Sequence, residues 1–88
     1  MSAEPTAAER IVTDTVATLL DLDEAELTPR RTLASLDGWD SVEALRILVF
    51  LEREIDTTLG FERFSSAVTL ADLSAQVAEA IGENAGVA

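Results

Sequence analysis

The sequence predicts an all-α fold, a small four-helix bundle with three long helices, one short helix and a long first loop. Of the 88 residues, 48% are hydrophobic but only 5% are aromatic, so a core must consist mainly of Leu, Ile, Val and Ala, which favours helices. Three segments place apolar residues at helical spacing behind a capping residue. This length predicts one domain over residues 1–88, with a core of about residues 6–82 and frayed ends.

The first helix and the loop after it are distinguished by a change of pattern. Thr6 and Glu9, three positions apart, form a predicted capping box, and the helical spacing ends near Asp21. Residues 21–39 then lack a helical pattern, and a loop this long in a small domain has to be anchored. Four leucines along the loop are expected to reach the core: Leu22, Leu27, Leu33 and Leu36.

The second helix has the clearest pattern in the chain. Asp40 is its predicted N-cap, and Glu43 is expected to complete a reciprocal capping box. The helix is predicted to run through Ile55 toward Leu59, with Gly60 as its C-cap. One face carries the residues expected in the core: Ala44, Ile47, Leu48, Leu51 and Ile55.

A second apolar strip lies beside that core face and is formed by Val42, Leu45 and Val49. Arg46 and Arg53 flank one edge of the strip, and Glu52 and Asp56 flank the other. A helix that is apolar on two adjacent faces needs a packing partner for each of them. Periodicity leaves two interpretations equally open: the strip packs beneath the loop or another helix, or it stays exposed and docks a partner protein.

The segment after the second helix predicts a single short helical turn over residues 61–66. Its two aromatic residues, Phe61 and Phe64, are three positions apart, so both are expected to dock on the same side.

The last helix is predicted to begin at Thr69, where Asp72 completes a capping box. Val68 is expected to pack against Leu73 as a hydrophobic staple. The helix should stop at Gly82.

Composition excludes most enzyme mechanisms and several kinds of partner. The chain has no Cys, no His and no Lys, which removes thiolates, imidazole bases and common zinc sites, so we expect no catalytic residues and no metal site. A net charge of −11 would repel nucleic acid and anionic lipid. The charge alone leaves two interpretations equally open: protein partners with basic surfaces, or a small Ala-rich protein kept soluble by its charge. Without a signal peptide or membrane span in the sequence, we expect a cytoplasmic monomer.

One serine stands out by its position. Residues 38–42, Gly-Trp-Asp-Ser-Val, form a loop that turns at glycine and delivers Ser41 to the first turn of the second helix. Its hydroxyl should lie outside the hydrogen-bonded part of the helix, where another protein can reach it. A phosphodiester on this oxygen would lie near free N–H groups and the positive end of the helix dipole.

Residues 38–42 resemble the Asp-Ser-Leu attachment motif of acyl and peptidyl carrier proteins, with Val42 where Leu is usual. The resemblance covers about residues 11–81, because the segment Leu27-Thr28-Pro29 and the order of the four helices also fit. It implies an acyl-carrier-protein-like fold and a protein without catalysis of its own.

The resemblance also implies the role of Ser41. A phosphopantetheinyl transferase, using coenzyme A and Mg²⁺, would attach 4'-phosphopantetheine to Ser41, and the thiol of that arm would carry a substrate as a thioester. Asp40 would be the acidic neighbour that the transferase reads, as well as an N-cap. Trp39 would either flank the base of the arm or serve only in packing.

The same resemblance makes the second helix the recognition helix and favours docking for the apolar strip. It implies five partner-binding residues: Val42, Leu45, Arg46, Val49 and Arg53. The partners would be an acyl- or aminoacyl-loading enzyme and an acyltransferase or synthase.

Two arginines on the second helix narrow the choice of biosynthetic pathway. Arg46 and Arg53 stand at positions that are commonly acidic in fatty-acid carriers. We therefore expect a discrete carrier of polyketide or nonribosomal peptide synthesis, as in antibiotic biosynthesis. The alternatives are an acyl carrier protein of fatty-acid synthesis, or an unmodified helical protein-interaction module whose binding ignores Ser41.

Overall fold

The computed structural model of the chain describes residues 5–82, and the outermost parts of the predicted frayed ends, residues 1–4 and 83–88, lie outside the described residues. The last helix stops just before Gly82, close to its predicted end. The prediction of three long helices and one short helix is confirmed. The helices are α1 (Ala7–Leu20), α2 (Ser41–Ile55), α3 (Phe61–Ser65) and α4 (Leu70–Ala80).

The core lies between the three long helices. Helix α1 packs against both α2 and α4, and α3 packs against α4. The aliphatic core that the composition predicts is present, with Phe64 as its buried aromatic residue among those described. The largest fully buried side chains come from α1, α2 and α4: Val12, Val16, Ile47, Leu51, Leu73 and Val77.

The first loop wraps the bundle, as its leucines predict. Leu27, Leu33 and Leu36 are buried, and Leu22 packs against the core while remaining partly exposed. The sequence did not reveal that the loop contains two short 3-10 turns, Glu24–Glu26 and Leu33–Ser35. These turns satisfy several backbone groups locally, because their N–H groups bond to carbonyls three residues earlier.

Backbone hydrogen bonds tie the loop to the start of α4. The Leu33 N–H donates to the Val68 carbonyl at 2.9 Å, and the Leu70 N–H donates to the Arg31 carbonyl at 3.0 Å. The Arg31 guanidinium donates to the Ser35 hydroxyl at 2.8 Å. The loop is therefore held by both apolar burial and hydrogen bonds.

The caps of α1 and α4 lie where the sequence predicts them. Thr6 and Glu9 form a reciprocal capping box, and so do Thr69 and Asp72. Helix α1 ends at Asp21, which adopts the left-handed conformation with φ of 57°. Aspartate tolerates this conformation better than most residues, so it can replace glycine as a C-cap.

Asp72 makes the stability of the fold sensitive to acid. Its charged carboxylate accepts the backbone N–H groups of Thr69 and Val68, which holds the pKa of Asp72 below its ordinary value. A lowered folded-state pKa gives stabilisation that is present above the unfolded-state pKa and lost as pH falls through the folded-state value. In acid-induced thermal unfolding below the ordinary aspartate pKa, we expect the wild type to lose more stability than Asp72→Asn.

The matched control is Asp14→Asn, which removes the same charge from an exposed position on α1 without removing a cap. Its melting temperature should follow the wild type through the same pH range. If the melting temperatures of the wild type and Asp72→Asn fell in parallel as the pH is lowered, the role given to the Asp72 carboxylate would be contradicted.

Two expectations for α2 are wrong. The helix ends at Ile55 and does not continue toward Leu59, because Asp56 adopts the left-handed conformation with φ of 55°. Gly60, the predicted C-cap, instead precedes α3 with φ of 87°. The Glu52 carboxylate accepts the N–H groups of Leu59 and Gly60, at 2.8 and 3.1 Å, and so stabilises the turn between the two helices.

The predicted capping box of α2 is also incomplete. The Asp40 carboxylate accepts the Glu43 N–H at 2.8 Å, so the N-cap itself is confirmed. The Glu43 carboxylate does not return to the Asp40 backbone; it forms an ion pair with Arg46 at 2.9 Å. The reason is the neighbouring arginine, which lies within reach at i+3 on the same helix.

The paired docking of the two phenylalanines is confirmed only in part. Both residues line one surface cleft, but Phe64 is buried whereas Phe61 is 56% exposed. Phe61 is the first residue of the five-residue helix α3. Val68 is 60% exposed, so most of its side chain lies in solvent, and its contact with the buried Leu73 stays a prediction.

Candidate functional site

Ser41 is the first residue of α2, and the preceding turn determines its position. Gly38 has φ of 87°, a conformation that glycine adopts without strain, and the Trp39 N–H donates to the Leu36 carbonyl at 3.1 Å. Asp40 follows in an extended conformation as the N-cap, with its carbonyl accepting the first helical N–H, from Ala44, at 2.8 Å. The chain therefore enters α2 with Ser41 directly after the cap.

The hydroxyl of Ser41 is available to another molecule. Ser41 is exposed, and its hydroxyl makes no hydrogen bond with any residue in the part of the chain that the structure describes. The N–H groups of Ser41 and Val42 belong to the first turn, where backbone donors have no partner within the helix. An anion on the Ser41 oxygen would meet these donors at the positive end of the helix dipole.

Trp39 has a packing role. It is half-buried against the core, and its ring stacks on Phe64, with the centroids 6.4 Å apart and the planes at 27°. This contact joins the entry of α2 to α3. Trp39 also lines the cleft beside Ser41. A residue with this packing role can therefore still border an arm attached to Ser41.

A cleft of about 380 Å³ opens beside Ser41, between the start of α2, helix α3 and the first loop. Its lining is mainly apolar and contains no charged side chain. No local pattern in the sequence predicts this cleft, because it forms between three segments that come together only in the folded chain. The residues that line it are Thr32, Leu33, Ala34, Trp39, Ser41, Ala44, Leu45, Phe61, Phe64, Ser65, Ala67 and Val68.

A slightly larger depression, of about 420 Å³, lies along α1. It is lined partly by charged side chains, including Glu9, Arg10 and Glu54, and by none of the predicted site residues. The apolar cleft is the one that adjoins the candidate site.

The apolar strip of α2 is exposed. Val42, Leu45 and Val49 are 64, 47 and 49% exposed, so the interpretation that they pack under the loop or another helix is wrong. Leu45 lines the cleft beside Ser41, and so do the exposed Phe61 and Val68. Three exposed apolar side chains therefore contribute to the lining of this cleft.

A comparison with known protein families matches residues 10–77 to the family described as "Phosphopantetheine attachment site". The chain belongs to this family. A phosphopantetheine-attachment domain carries covalently attached 4'-phosphopantetheine and acts as a carrier, generally without catalysis. Such domains interact with phosphopantetheinyl transferases and biosynthetic enzymes. A comparison with curated proteins finds no match.

The residues of this phosphopantetheine-attachment domain fit the group. Ser41 offers an exposed oxygen with no competing hydrogen bond among the described residues, and it lines a cleft of about 380 Å³ that has no charged side chain. Residues 5–82 contain no cluster of three or more Asp, Glu, His or Cys side chains that could hold a metal ion. None of the described helices is long and apolar enough to cross a membrane.

The predicted site residues of the domain lie along α2 and in the turn before it. Trp39, Asp40 and Ser41 lie together where α2 begins, and Val42 and Leu45 follow within the next turn. Arg46 and Val49 lie in the middle of α2, and Arg53 stands in its last turn, about 18 Å from Ser41 along the helix axis at about 1.5 Å per residue. Phe50, which the sequence pattern did not single out, is 45% exposed on the same helix.

Proposed function

We propose that this protein is a carrier that holds acyl or aminoacyl intermediates as thioesters on a 4'-phosphopantetheine arm attached to Ser41. It presents these intermediates to biosynthetic enzymes. The supporting observation is the exposed Ser41 hydroxyl at the first position of α2, beside an apolar cleft, in a chain of the phosphopantetheine-attachment family. We also propose that the single domain acts as a monomer in the cytoplasm, where the transferase finds coenzyme A.

The chain itself supplies the Ser41 oxygen and fixes its position at the start of α2. The partner enzymes supply the rest of the chemistry. The chain contains no His and no Lys, and its described residues contain no cluster of three or more side chains that could hold a metal ion. In this proposal the transferase provides the base that takes the Ser41 proton and the binding site for Mg²⁺. The attached arm supplies a thiol, which a chain without Cys otherwise lacks. Folding positions that arm at the mouth of the cleft.

Asp40 has two roles in this proposal. Its carboxylate caps α2 through the Glu43 N–H and thereby orients the first turn that carries Ser41. It would also be the acidic neighbour that the transferase recognises. Trp39 braces the turn through its contact with Phe64 and borders the base of the arm.

The exposed side of α2 is the proposed partner surface. Val42 and Leu45 adjoin Ser41, so an enzyme that receives the arm contacts them first. Val49, Arg46 and Arg53 extend the surface along the helix. Exposed apolar side chains bordered by charges are typical of a docking site.

The pathway we favour is polyketide or nonribosomal peptide synthesis, because Arg46 and Arg53 occupy positions that are commonly acidic in fatty-acid carriers. Fatty-acid synthesis is the alternative pathway. Loading assays distinguish the two: a specialised carrier should be a poor substrate for fatty-acid synthase enzymes after conversion to the holo form.

Intact-protein mass spectrometry tests the carrier function. After incubation with coenzyme A, Mg²⁺ and a broad-range phosphopantetheinyl transferase, we expect the mass of exactly one phosphopantetheine group to be added. Omission of coenzyme A should leave the mass unchanged. A protein that stays unmodified under conditions that fully convert a known carrier would contradict the proposal.

The exposed apolar strip supports a second candidate, an unmodified interaction module that binds a partner helix. It requires binding that is the same for the apo protein, the holo protein and a Ser41→Ala variant. A carrier instead binds its loading enzyme productively only in the holo form, so a comparison of these three forms separates the candidates.

A further inference from the structure

Helix α3 forms one wall of the cleft beside Ser41. Phe61, Phe64 and Ser65 of this helix line the cleft. The Phe64 ring also stacks on Trp39, which lies two residues before Ser41. A helix of five residues is too short to be stable by itself, so its orientation depends on contacts with the rest of the fold. The position of α3 therefore affects the surroundings of Ser41.

Two polar side chains hold α3, one at each end. At its beginning, the Glu52 carboxylate of α2 accepts backbone N–H groups from the residues just before α3. Near its end, the Gln76 side chain of α4 donates to the Arg63 carbonyl at 2.7 Å. Arg63 directly precedes Phe64, so the bond from Gln76 fixes the backbone next to the residue that contacts Trp39.

Gln76 occupies its position at a cost in stability. It is 7% exposed and is the one buried polar side chain among residues 5–82. Its Nε2 group is bonded, but its Oε1 atom has no hydrogen-bond partner among the described residues. A buried amide oxygen without a partner destabilises a fold, and an apolar side chain of similar length would avoid this cost. Stability alone therefore does not account for a glutamine at this position.

The Arg63 carbonyl does not need Gln76 in order to be satisfied. It also accepts the backbone N–H of Ser66 at 3.0 Å and the Ser66 hydroxyl at 2.6 Å. Loss of the Gln76 donor would therefore leave this carbonyl paired. Both Ser66 donors belong to the same turn as the carbonyl, so they cannot orient α3 relative to α4. Gln76 supplies that long-range restraint.

A second polar link between α3 and α4 lies at the surface. Arg63 and Glu79 form an ion pair, and both side chains are exposed. An exposed ion pair contributes little to stability and is screened by salt. The buried bond from Gln76 is therefore the stronger polar restraint on the end of α3.

We infer that Gln76 is a positioning residue for the modification of Ser41. Its bond to the Arg63 carbonyl sets the orientation of α3 and thereby seats Phe64 on Trp39. That contact keeps the turn before Ser41 in one conformation. A buried polar bond can specify one arrangement at the expense of stability. The effect on modification rests on the proposed function, whereas the effect on Trp39 does not.

Fluorescence of the apo protein tests the structural part of the inference. Trp39 is the single tryptophan of the chain, which has no tyrosine, so tryptophan emission reports on this residue alone. We expect Gln76→Met to shift the emission to longer wavelength and to increase quenching by acrylamide, because the ring is then more often in water. The melting temperature should stay within about 5 °C of the wild type, since the variant loses a hydrogen bond and an unpaired acceptor together.

Transferase kinetics test the effect of Gln76→Met on modification. With coenzyme A and Mg²⁺, we expect the KM for the carrier to rise about three- to tenfold while kcat stays within about twofold of the wild type. The reason is that only a fraction of the variant molecules presents the Ser41 turn in the conformation that the transferase binds. That fraction reacts as the wild type does.

Two variants of α4 are the controls, both measured below their thermal transitions. Glu79→Gln removes the surface ion pair between α3 and α4. Val77→Ala removes buried apolar volume at the position next to Gln76, so it should lower the melting temperature. Both controls should keep the Trp39 emission and the KM of the wild type.

The route through Phe64 is tested by a double variant. Phe64→Leu removes the ring on which Trp39 stacks and should itself raise the KM. Residues that act through one contact do not have additive effects. Adding Gln76→Met to Phe64→Leu should therefore change the KM by less than about twofold further.

Four results would overturn the inference: unchanged Trp39 emission or unchanged KM in Gln76→Met, equal changes in either control, a larger loss of melting temperature in Gln76→Met than in Val77→Ala, or effects of Gln76→Met and Phe64→Leu on the KM that multiply. A wild-type protein that no transferase modifies would contradict the proposed function and leave the fluorescence result standing. Unchanged emission in Gln76→Met, with a wild type that is modified, would contradict this inference alone.

Discussion

The Ser41→Ala variant is expected to gain no mass with coenzyme A, Mg²⁺ and a transferase that converts the wild type completely. The substitution removes the one oxygen that the proposal places at the start of α2. It should not unfold the protein, because Asp40 and not Ser41 is the N-cap, and alanine is favourable within a helix. Intact mass and a thermal melt of the same sample measure both outcomes.

Ser65→Ala is the matched control for this experiment. Ser65 is exposed and lines the same cleft, but it lies at the end of α3, where its hydroxyl donates to the Glu62 carbonyl at 3.0 Å. We expect this variant to be modified as completely as the wild type. Modification that persists in Ser41→Ala, or that disappears in Ser65→Ala, would place the attachment point elsewhere.

Leu51→Ala is expected to destabilise the protein by about 2–5 kcal/mol, because it removes a fully buried side chain and leaves a cavity. Leu51 lies on the core face of α2, where α1 packs against that helix. A loss of this size is a large fraction of the roughly 5–15 kcal/mol that stabilises a typical domain. Chemical denaturation followed by circular dichroism measures the change in the free energy of unfolding.

Leu45→Ala makes the same chemical change six residues earlier on the same helix, at a position that is 47% exposed. We expect it to cost less than about 1 kcal/mol, because its side chain gives up much less contact with the core. Equal destabilisation by the two variants would mean that α2 does not bury the face described above.

Local features of the sequence were sufficient where the deciding interactions are themselves local. Thr6 and Thr69 cap their helices through residues three positions away, so these helix starts can be recognised from spacing alone. The placement of Ser41 behind Asp40 is equally local, because the turn at Gly38 and the N-cap involve only a few consecutive residues.

Predictions from local sequence were wrong at two places in α2, its C-terminal end and the pairing of Glu43. Gly60 was the expected end of α2, but Asp56 reaches the left-handed conformation first and ends the helix. Glu43 was expected to bond to the backbone at Asp40, but Arg46 takes its carboxylate. In both cases the spacing allows either outcome, and only the folded geometry selects one of them.

By itself, the sequence determined the helix count, the caps of α1 and α4, the aliphatic core face of α2 and the position of Ser41 at a helix start. These features follow from periodicity and from contacts between residues close in the chain. Only the tertiary structure decided that the strip of Val42, Leu45 and Val49 is exposed and that a cleft opens beside Ser41. The physical reason is that exposure depends on where distant segments pack, and the first loop and α3 leave this side of α2 uncovered.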